Sequence, residues 1–289
     1  MSNEALPPAT GGTIPAAEVT RFFHSSGMSI DRLMLDLIDE AKTFALPPIS
    51  DFVVGAVALG ASGSLYFGAN YEFVGQALSF TVHGEQAATA NAIAHGETGL
   101  LKLAVSAAPC GYCRQFLYEL VTASTLQILL PRKPVVLLTS LLPDAFGPAD
   151  LGIKAALMSP QSHGMTLSPP GDPVVQAALA AANSSYAPYT FDYAGVALKT
   201  RDGSIFTGAI VENAAYNPSM SPMESALVNL IIAGGRSYAD IVDAVLVEAA
   251  GAKTSQATAT SAVLGAITSV ALRIYQAQPF GKKTEKHHA

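Results

Sequence analysis

Two short stretches of the chain carry side chains whose types and spacing could perform chemistry. TVHGEQ contains His83 and Glu85, and APCGYC contains Cys110 and Cys113, the two cysteines of the 289-residue sequence. One imidazole and two thiolates suit Zn²⁺, and three protein ligands leave the fourth tetrahedral position for water, as in catalytic zinc sites. We therefore expect His83, Cys110 and Cys113 to hold one Zn²⁺.

Glu85 lies two residues from His83, so it can face the same cavity without being a ligand. Two thiolates leave a metal less acidic than three histidines would, so a nearby carboxylate must help to remove a proton from water. We expect Glu85 to do this, although a glutamate in the first turn of a helix can also simply stabilise the helix dipole. Arg114 follows Cys113 and could donate to a thiolate or form a surface salt bridge.

Each half of this pattern also has a simpler interpretation. Cys-x-x-Cys alone is typical of a dithiol redox pair, and a lone histidine is usually a core residue. The joint pattern favours a metal, because Pro109 and Gly111 fit the tight start of a helix, and a helix N-terminus favours thiolates.

The surrounding sequence predicts helices and strands that alternate along the chain. A β-branched, apolar run over Phe52 to Leu59, followed by Ser64 to Gly68, predicts a hairpin. Helical spacing of apolar residues predicts a helix over Arg32 to Phe44. Further helices are predicted over Glu85 to Ala94 and Cys113 to Ala123, and strands over Leu103 to Ala107, Leu126 to Leu130 and Val135 to Thr139. The alternation predicts an α/β protein with a mixed sheet covered by helices.

A second copy of the pattern follows about 140 residues later, which indicates a domain duplication. VALGASGSLYFG resembles VALKTRDGSIFTG, with one extra residue in the second turn. VLVEAAGAKTSQ stands where AVSAAPCGYCRQ stands in the first copy, so we expect one zinc site per chain. The alignment places Phe52 opposite Phe191, Glu72 opposite Glu212, His83 opposite Pro222 and Glu85 opposite Glu224.

Composition shifts along the chain predict its division into five parts. We expect a flexible lead-in at 1–30, a zinc-binding copy at 31–158, a linker rich in Pro, Gly and Ser at 159–173, a zinc-free copy at 174–278, and a flexible tail at 279–289.

Charge and hydropathy exclude several kinds of partner. The formal net charge is −6, and the one basic cluster is the tail GKKTEKHHA, so no nucleic-acid polymer is expected as a partner. Apolar runs are too short to span a bilayer, and the first residues do not resemble a signal peptide, so we expect a soluble, cytoplasmic protein without a membrane partner. With 50% hydrophobic and 13% charged residues, the chain is expected to bury a large apolar interface.

His-x-Glu followed by Pro-Cys-x-x-Cys is the signature of zinc deaminases. From about Arg32 to Gln276 the sequence resembles the cytidine deaminases, most closely their long, two-domain, homodimeric type. The most specific segments are FVVGAVALG, FGANYEF, VHGEQ, PCGYCRQF, LLPDAFGPADL and ENAAYNPSM. The resemblance implies a three-layer α/β/α domain, duplicated in one chain, with zinc in the first copy.

The resemblance also implies roles for further residues. Asn70 and Glu72 match residues that bind the ribose hydroxyl groups, and Phe52 matches the aromatic residue that packs against the pyrimidine. Phe146 matches an aromatic residue that helps to close the site. Gly84 replaces the alanine of many members, at a position that holds the base through its backbone.

The implied activity is hydrolytic deamination of cytidine and 2′-deoxycytidine in pyrimidine salvage, with zinc activating water and Glu85 shuttling protons. The implied assembly is a homodimer whose active sites are completed across the interface. Four alternatives remain at this point: another small-substrate zinc nucleoside or nucleotide deaminase, a deaminase of single-stranded nucleic acid, a dithiol redox protein, and a zinc-stabilised, non-catalytic interaction protein. The last would need a fourth protein ligand, for which His95 and His163 are candidates.

Overall fold

The N-terminal segment is more ordered than its composition suggests. The structure is a computed structural model that describes residues 6–278. Strand β1 (Thr13–Ile14) pairs with a strand of the first sheet, and helix α1 (Ala16–Ser26) buries Val19 and Phe22. The prediction of a flexible lead-in at 1–30 is therefore wrong for this part, because the apolar residues of α1 supply a face that packs on the core. The predicted tail, 279–289, lies outside the described residues.

The first copy forms a mixed six-stranded sheet, with the order β1-β3-β2-β4-β5-β6. Strands β4 and β5 are parallel, and their neighbours pair antiparallel. Its elements after α1 are α2 (Ile30–Asp36), α3 (Ile38–Ala41), β2 (Gly55–Gly60), β3 (Leu65–Ala69), α4 (Gly84–Ala94), β4 (Leu100–Val105), α5 (Gly111–Leu117), β5 (Gln127–Leu129), β6 (Val136–Leu137) and α6 (Leu138–Leu141).

The second copy forms a four-stranded sheet, with the order β10-β9-β7-β8, in which only β9 and β10 are parallel. Its elements are α7 (Pro173–Asn183), β7 (Ala194–Thr200), β8 (Ile205–Ala209), α8 (Pro222–Val228), which continues as a π-helical turn over Asn229–Ala233, β9 (Ile241–Ala249), α9 (Ala257–Ile267) and β10 (Leu272–Ala277).

Two glycines in each hairpin let helices approach both faces of the sheet. A Cβ on Gly55 would lie 2.6 Å from the Ile38 carbonyl oxygen, and one on Gly68 would lie 2.2 Å from the Gly84 carbonyl oxygen. Gly68 pairs with Ala56, so adjacent Gly55 faces the opposite side, and helices α3 and α4 cover opposite faces. This confirms the predicted three-layer α/β/α architecture.

The second copy repeats this arrangement with a glycine at each equivalent position. Gly195 faces the backbone of α7, and Gly208 faces the backbone of α8. Helices α4 and α8 also pack against each other, so they lie between the two sheets. One continuous cluster of buried apolar side chains accordingly runs through both copies.

The two hairpins superpose without the extra turn residue that the sequence alignment required. Gly55 pairs with Ala69 as Gly195 pairs with Ala209, and this equivalence continues residue by residue to both turns. Phe191 therefore corresponds to Asp51, with which it shares a positive φ, and not to Phe52. The sequence alignment matched Val57-Ala58-Leu59 with Val196-Ala197-Leu198, which is one residue away from the equivalence given by strand pairing. A shift of one residue moves every side chain of a strand to the opposite face of the sheet.

The equivalence of Glu85 and Glu224 is also wrong. The N–H of His83, just before α4, donates to the Gln86 side chain at 3.1 Å, and the N–H of Ser221, just before α8, donates to Glu224 at 2.7 Å. Glu224 is thus the counterpart of Gln86 and caps its helix. Ser221 takes the place of His83, Pro222 that of Gly84, and Met223 that of Glu85.

Several predicted elements have different boundaries. The helix predicted over Arg32 to Phe44 is divided into α2, α3 and a 3₁₀ turn at Lys42–Phe44. The helix predicted to reach Ala123 ends at Leu117, and the strand predicted to reach Thr139 ends at Leu137, where α6 begins. The break between α2 and α3 lies inside the predicted helix, whereas the other two differences lie at element ends, where boundaries are hardest to predict.

Gly68 provides a direct test of the close contact between sheet and helix. In Gly68→Ala the new methyl group would meet the α4 backbone, which cannot move without displacing the sheet. We expect the free energy of unfolding to fall by about 3 kcal/mol, as for strongly overpacked cores. Chemical denaturation followed by circular dichroism would measure this loss.

Gly265→Ala in α9 is the matched control. No neighbouring atom lies within 4 Å of its Cβ position, so it should be neutral or slightly stabilising. Equal effects of the two substitutions would contradict the packing argument.

Candidate metal and substrate site

The three predicted metal ligands lie at the N-termini of two helices. His83 is the residue that precedes α4, and Cys110 is the residue that precedes α5. Cys113 lies buried in the first turn of α5. Both helices therefore begin at one point, because β4 delivers the chain to α5 beside the start of α4.

The ligand atoms of His83, Cys110 and Cys113 lie within 4.8 Å of one another. The Nδ1 atom of His83 is 3.6 Å from the Cys110 sulfur and 3.3 Å from the Cys113 sulfur. Neither cysteine forms a disulfide. This donor set fits Zn²⁺, whose ligands commonly combine imidazole and thiolate.

The thiols of Cys110 and Cys113 have pKa values shifted in opposite directions. A hydrogen bond from the Cys113 side chain lowers the pKa of Cys110 to about 5, whereas the same bond and burial raise the pKa of Cys113. Cys110 thus presents a thiolate at neutral pH, which is the form that binds a metal.

Glu85 lies in the first turn of α4 and is only 4% exposed. Burial raises the pKa of its carboxyl group, and a hydrogen bond with the Cys113 side chain opposes this shift. The carboxyl group therefore lies beside the metal ligands without belonging to their cluster, as predicted.

A cavity of about 300 Å³ opens onto these groups. Seven of the predicted site residues line this cavity. Its walls also contain residues that the sequence analysis did not predict, among them Ser50, Thr81 and Ala108. The predicted residues in its walls are Phe52, Asn70, Glu72, His83, Gly84, Glu85 and Cys110. The volume suits a small molecule with one or two rings.

Asn70 and Glu72 hold the loop that carries Phe52. Asn70 accepts the Val54 N–H at 2.8 Å and donates to the Phe52 carbonyl at 2.8 Å. Glu72 accepts the N–H groups of Ile49 and Ser50. With its backbone fixed in this way, Phe52 leaves its side chain 60% exposed at the cavity.

Gly84 and Phe146 differ in their relation to the cavity. A Cβ on Gly84 would lie 3.0 Å from the Val54 side chain, so an alanine would require a small shift there. Phe146 is 47% exposed and does not line the cavity in this chain. Its carbonyl oxygen accepts a hydrogen bond from Gln115 Nε2 at 2.8 Å, which anchors its loop to α5.

Arg114 does not have either of the two predicted contacts. Its guanidinium donates to the carbonyl oxygens of Pro109 and Leu141, each at 2.8 Å. The side chain therefore holds the loop before Cys110 against α6.

Tyr112, between the two cysteines, is a contact that sequence reasoning missed. Its ring stacks on His83, with 5.4 Å between ring centroids. The aromatic residue in the middle of Cys-x-x-Cys was the available signal, since a residue at that position must lie beside the metal ligands.

Neither candidate for a fourth protein ligand reaches the site. His95 bonds to the Asn91 carbonyl through Nδ1, and His163 bonds to the Ser185 carbonyl and stacks on Tyr193. Among residues 6–278, His83, Cys110 and Cys113 form the one cluster of three or more side chains arranged for a metal. Three ligands are the number found in catalytic zinc sites.

Fold and site together define a duplicated α/β zinc protein with one metal centre and an adjacent buried carboxyl group. Models of the cytidine and deoxycytidylate deaminase zinc-binding region match residues 28–128 and 138–261. The chain belongs to this family.

Curated relatives extend the similarity over nearly the whole chain. A cytidine deaminase of Aeromonas hydrophila is 49% identical over 88% of this chain and 85% of its own, and one of Vibrio cholerae is 46% identical over 88% and 86%. The crystal structure of cytidine deaminase from Mycobacterium tuberculosis is 35% identical over 42% of this chain and 99% of its own, with a TM-score of 0.38.

Within residues 6–278, no helix combines the length and the apolar character that are needed to cross a bilayer.

The cluster of three ligands predicts one zinc per chain. Cys113→Ala should remove a buried ligand and lower the zinc content from about one to near zero, because two ligands hold zinc weakly. Glu224→Gln, which changes a carboxyl group in the metal-free copy, should keep one zinc per chain. Atomic absorption of dialysed protein would measure both, and full zinc content in Cys113→Ala would exclude this site.

Proposed function

We propose that the protein deaminates cytidine and 2′-deoxycytidine hydrolytically, to uridine and 2′-deoxyuridine, with release of ammonia. The observation that carries the proposal is the buried carboxyl group of Glu85 beside the His83, Cys110 and Cys113 cluster, in a cavity of nucleoside size. Relatives that match 88% of the chain are named cytidine deaminases. We place this reaction in cytoplasmic pyrimidine salvage.

In this mechanism Glu85 moves the protons. Bound Zn²⁺ supplies a Lewis acid, which lowers the pKa of water and makes it a nucleophile at neutral pH. Glu85 takes the proton of the attacking water and delivers it to N3 of the ring, which makes C4 electrophilic. Glu85 then takes the remaining proton of the hydroxyl group added at C4 and passes it to the amino group, so that C4=O forms as the C4–N bond breaks and ammonia leaves.

The other cavity residues orient the nucleoside. The exposed ring of Phe52 offers a face on which the pyrimidine can stack. Asn70 and Glu72 lie in the wall of the same cavity and offer partners to ribose hydroxyl groups. A carboxylate there disfavours a phosphate group, so the arrangement favours nucleosides over nucleotides.

Glu85→Gln tests the proton transfer. The amide keeps the size of the side chain but cannot accept and return a proton, so kcat should fall by about 10²- to 10⁴-fold while one zinc per chain is retained. Loss of cytidine absorbance and release of ammonia would measure the rate. Wild-type kcat in Glu85→Gln would show that this mechanism is wrong.

A panel of substrates separates the proposed function from its alternatives. Cytidine and 2′-deoxycytidine should be deaminated, whereas cytidine monophosphate and a cytosine-containing oligonucleotide should react slowly. Bound zinc without turnover of any of these compounds would favour a non-catalytic interaction protein.

We propose that the protein is a homodimer in which the partner completes each active site. Large apolar side chains are exposed in the cavity wall and within three residues in sequence of it: Phe52, in the wall, is 60% exposed, Val74 64% and Leu78 73%. Exposed apolar side chains grouped in this way are typical of protein interfaces. Phe146, which lies outside the cavity of its own chain, would act at the partner-completed edge.

Leu78→Asp tests this assembly. A charge at a desolvated interface should shift the mass measured by light scattering from two chains to one, and deaminase activity should fall with it. Zinc content serves as the control for folding and should stay at one per chain. An active, monomeric wild-type protein would exclude the shared site.

A further inference from the structure

Glu119 is a fully buried carboxyl group that the proposed reaction does not use. It lies two residues beyond the end of α5, the helix whose first turn carries Cys113, and its side chain is 0% exposed. A carboxylate in such a position is costly unless hydrogen-bond donors surround it. The donors that surround Glu119 therefore show which part of the chain stabilises its buried position.

All three donors to Glu119 come from the metal-free copy. The Tyr186 hydroxyl donates to Oε1 at 2.7 Å, and the Tyr189 hydroxyl donates to the same oxygen. The backbone N–H of Ala214 donates to Oε2 at 3.0 Å. Burial and the neighbouring carboxyl group raise the pKa of both tyrosines, so their hydroxyls remain protonated donors.

A second contact joins the same loop of the metal-free copy to the middle of α5. The Asn213 side chain donates to the Gln115 carbonyl oxygen at 2.9 Å, and Gln115 Nε2 lies 3.3 Å from Asn213 Oδ1. Helix α5 is thus bound by the second copy both within the helix and just beyond its end.

These donors are specific to the second copy. The N–H of Tyr186 bonds to Ile210 as the N–H of Leu46 bonds to Asn70, so Tyr186 corresponds to Leu46 and Tyr189 to Ile49. Leu46 and Ile49 are apolar and exposed. The fold itself therefore does not require tyrosines at these positions.

We propose that Glu119 is a positioning residue for the metal centre, through which the metal-free copy fixes helix α5 and its two cysteines. Helix α5 has seven residues, and a helix of two turns has little stability of its own. Anchoring one end of so short a helix restricts the other end, where Cys110 and Cys113 must meet His83. The metal-free copy is thereby a support for the chemistry of the first.

The test removes the donors and keeps the carboxyl group. Tyr186→Phe combined with Tyr189→Phe leaves Glu119 buried with only the Ala214 N–H. We expect zinc transfer to a chelator to become at least about tenfold faster, as for residues that support metal ligands. We also expect the thiolate-to-metal charge-transfer band of the Co²⁺-loaded protein to change. With cytidine, kcat should fall while KM stays within about twofold, because the nucleoside-binding residues are untouched.

Tyr238→Phe is the matched control. It removes the buried hydroxyl of a tyrosine in the second copy that forms no hydrogen bond with α5, so zinc release and the Co²⁺ spectrum should stay unchanged. Glu119→Gln should be milder than Glu119→Ala, because the amide oxygen still accepts from the tyrosines. If Glu119→Ala does not fold, the tyrosine variants alone decide the question.

Wild-type zinc release and kcat in the double tyrosine variant, even with a lower melting temperature, would overturn the proposal. The kinetic part rests on the proposed deaminase function, whereas zinc release and the Co²⁺ spectrum do not. Failure of the deaminase function would appear as wild-type protein that is inactive on cytidine, with zinc release still faster in the double variant.

Discussion

The structure depends on one constraint: two helices must begin at the same point. A three-ligand metal centre needs its donor atoms within a few ångströms, and here they come from residues at the N-terminal ends of α4 and α5. Gly68 allows α4 to lie against the sheet backbone, and β4 directs the chain to the start of α5. Phe52, Asn70 and Glu72 then form a cavity around the point where the helices meet. The cavity is a consequence of the fold that the ligands require.

The metal ligands and Glu85 could be predicted from the sequence because their residue types and local spacing specify a chemistry. A mixed sheet covered by helices was predictable from the alternation of strand and helix patterns, whereas the three-layer arrangement was implied by the resemblance to a known family. The residue equivalences between the two copies could not be predicted from the sequence. The Val-Ala-Leu runs of the two copies align by residue type in a register that is wrong by one residue, and only the strand pairing shows the correct register. The contact of Arg114 with Leu141 and the contacts of Glu119 depend on chain segments distant in sequence, for which a local pattern carries no signal.

Both copies contribute residues to one metal site and its support. The first supplies the donors, the cavity and the buried acid, and the second supplies hydroxyl and amide donors to the end of α5. Glu119 is stabilised by groups of the other copy, so separating the copies would leave a buried carboxyl group without three of its partners. Helices α4 and α8 also pack against each other, so separating the copies would expose apolar side chains of the shared core.

The register of the second copy also bears on its evolutionary future. Ser221 and Met223 stand where the first copy has His83 and Glu85, and the sequence alignment places Gly251 and Thr254 opposite Cys110 and Cys113. Restoring a working centre there would take at least four substitutions, none of which confers catalysis alone. Tyr186 and Tyr189 meanwhile donate to Glu119 of the first copy, so deleting the second copy would remove both donors. We therefore expect the duplication to persist with one metal centre, because no single substitution restores the second site and deletion of the copy would remove contacts of the first.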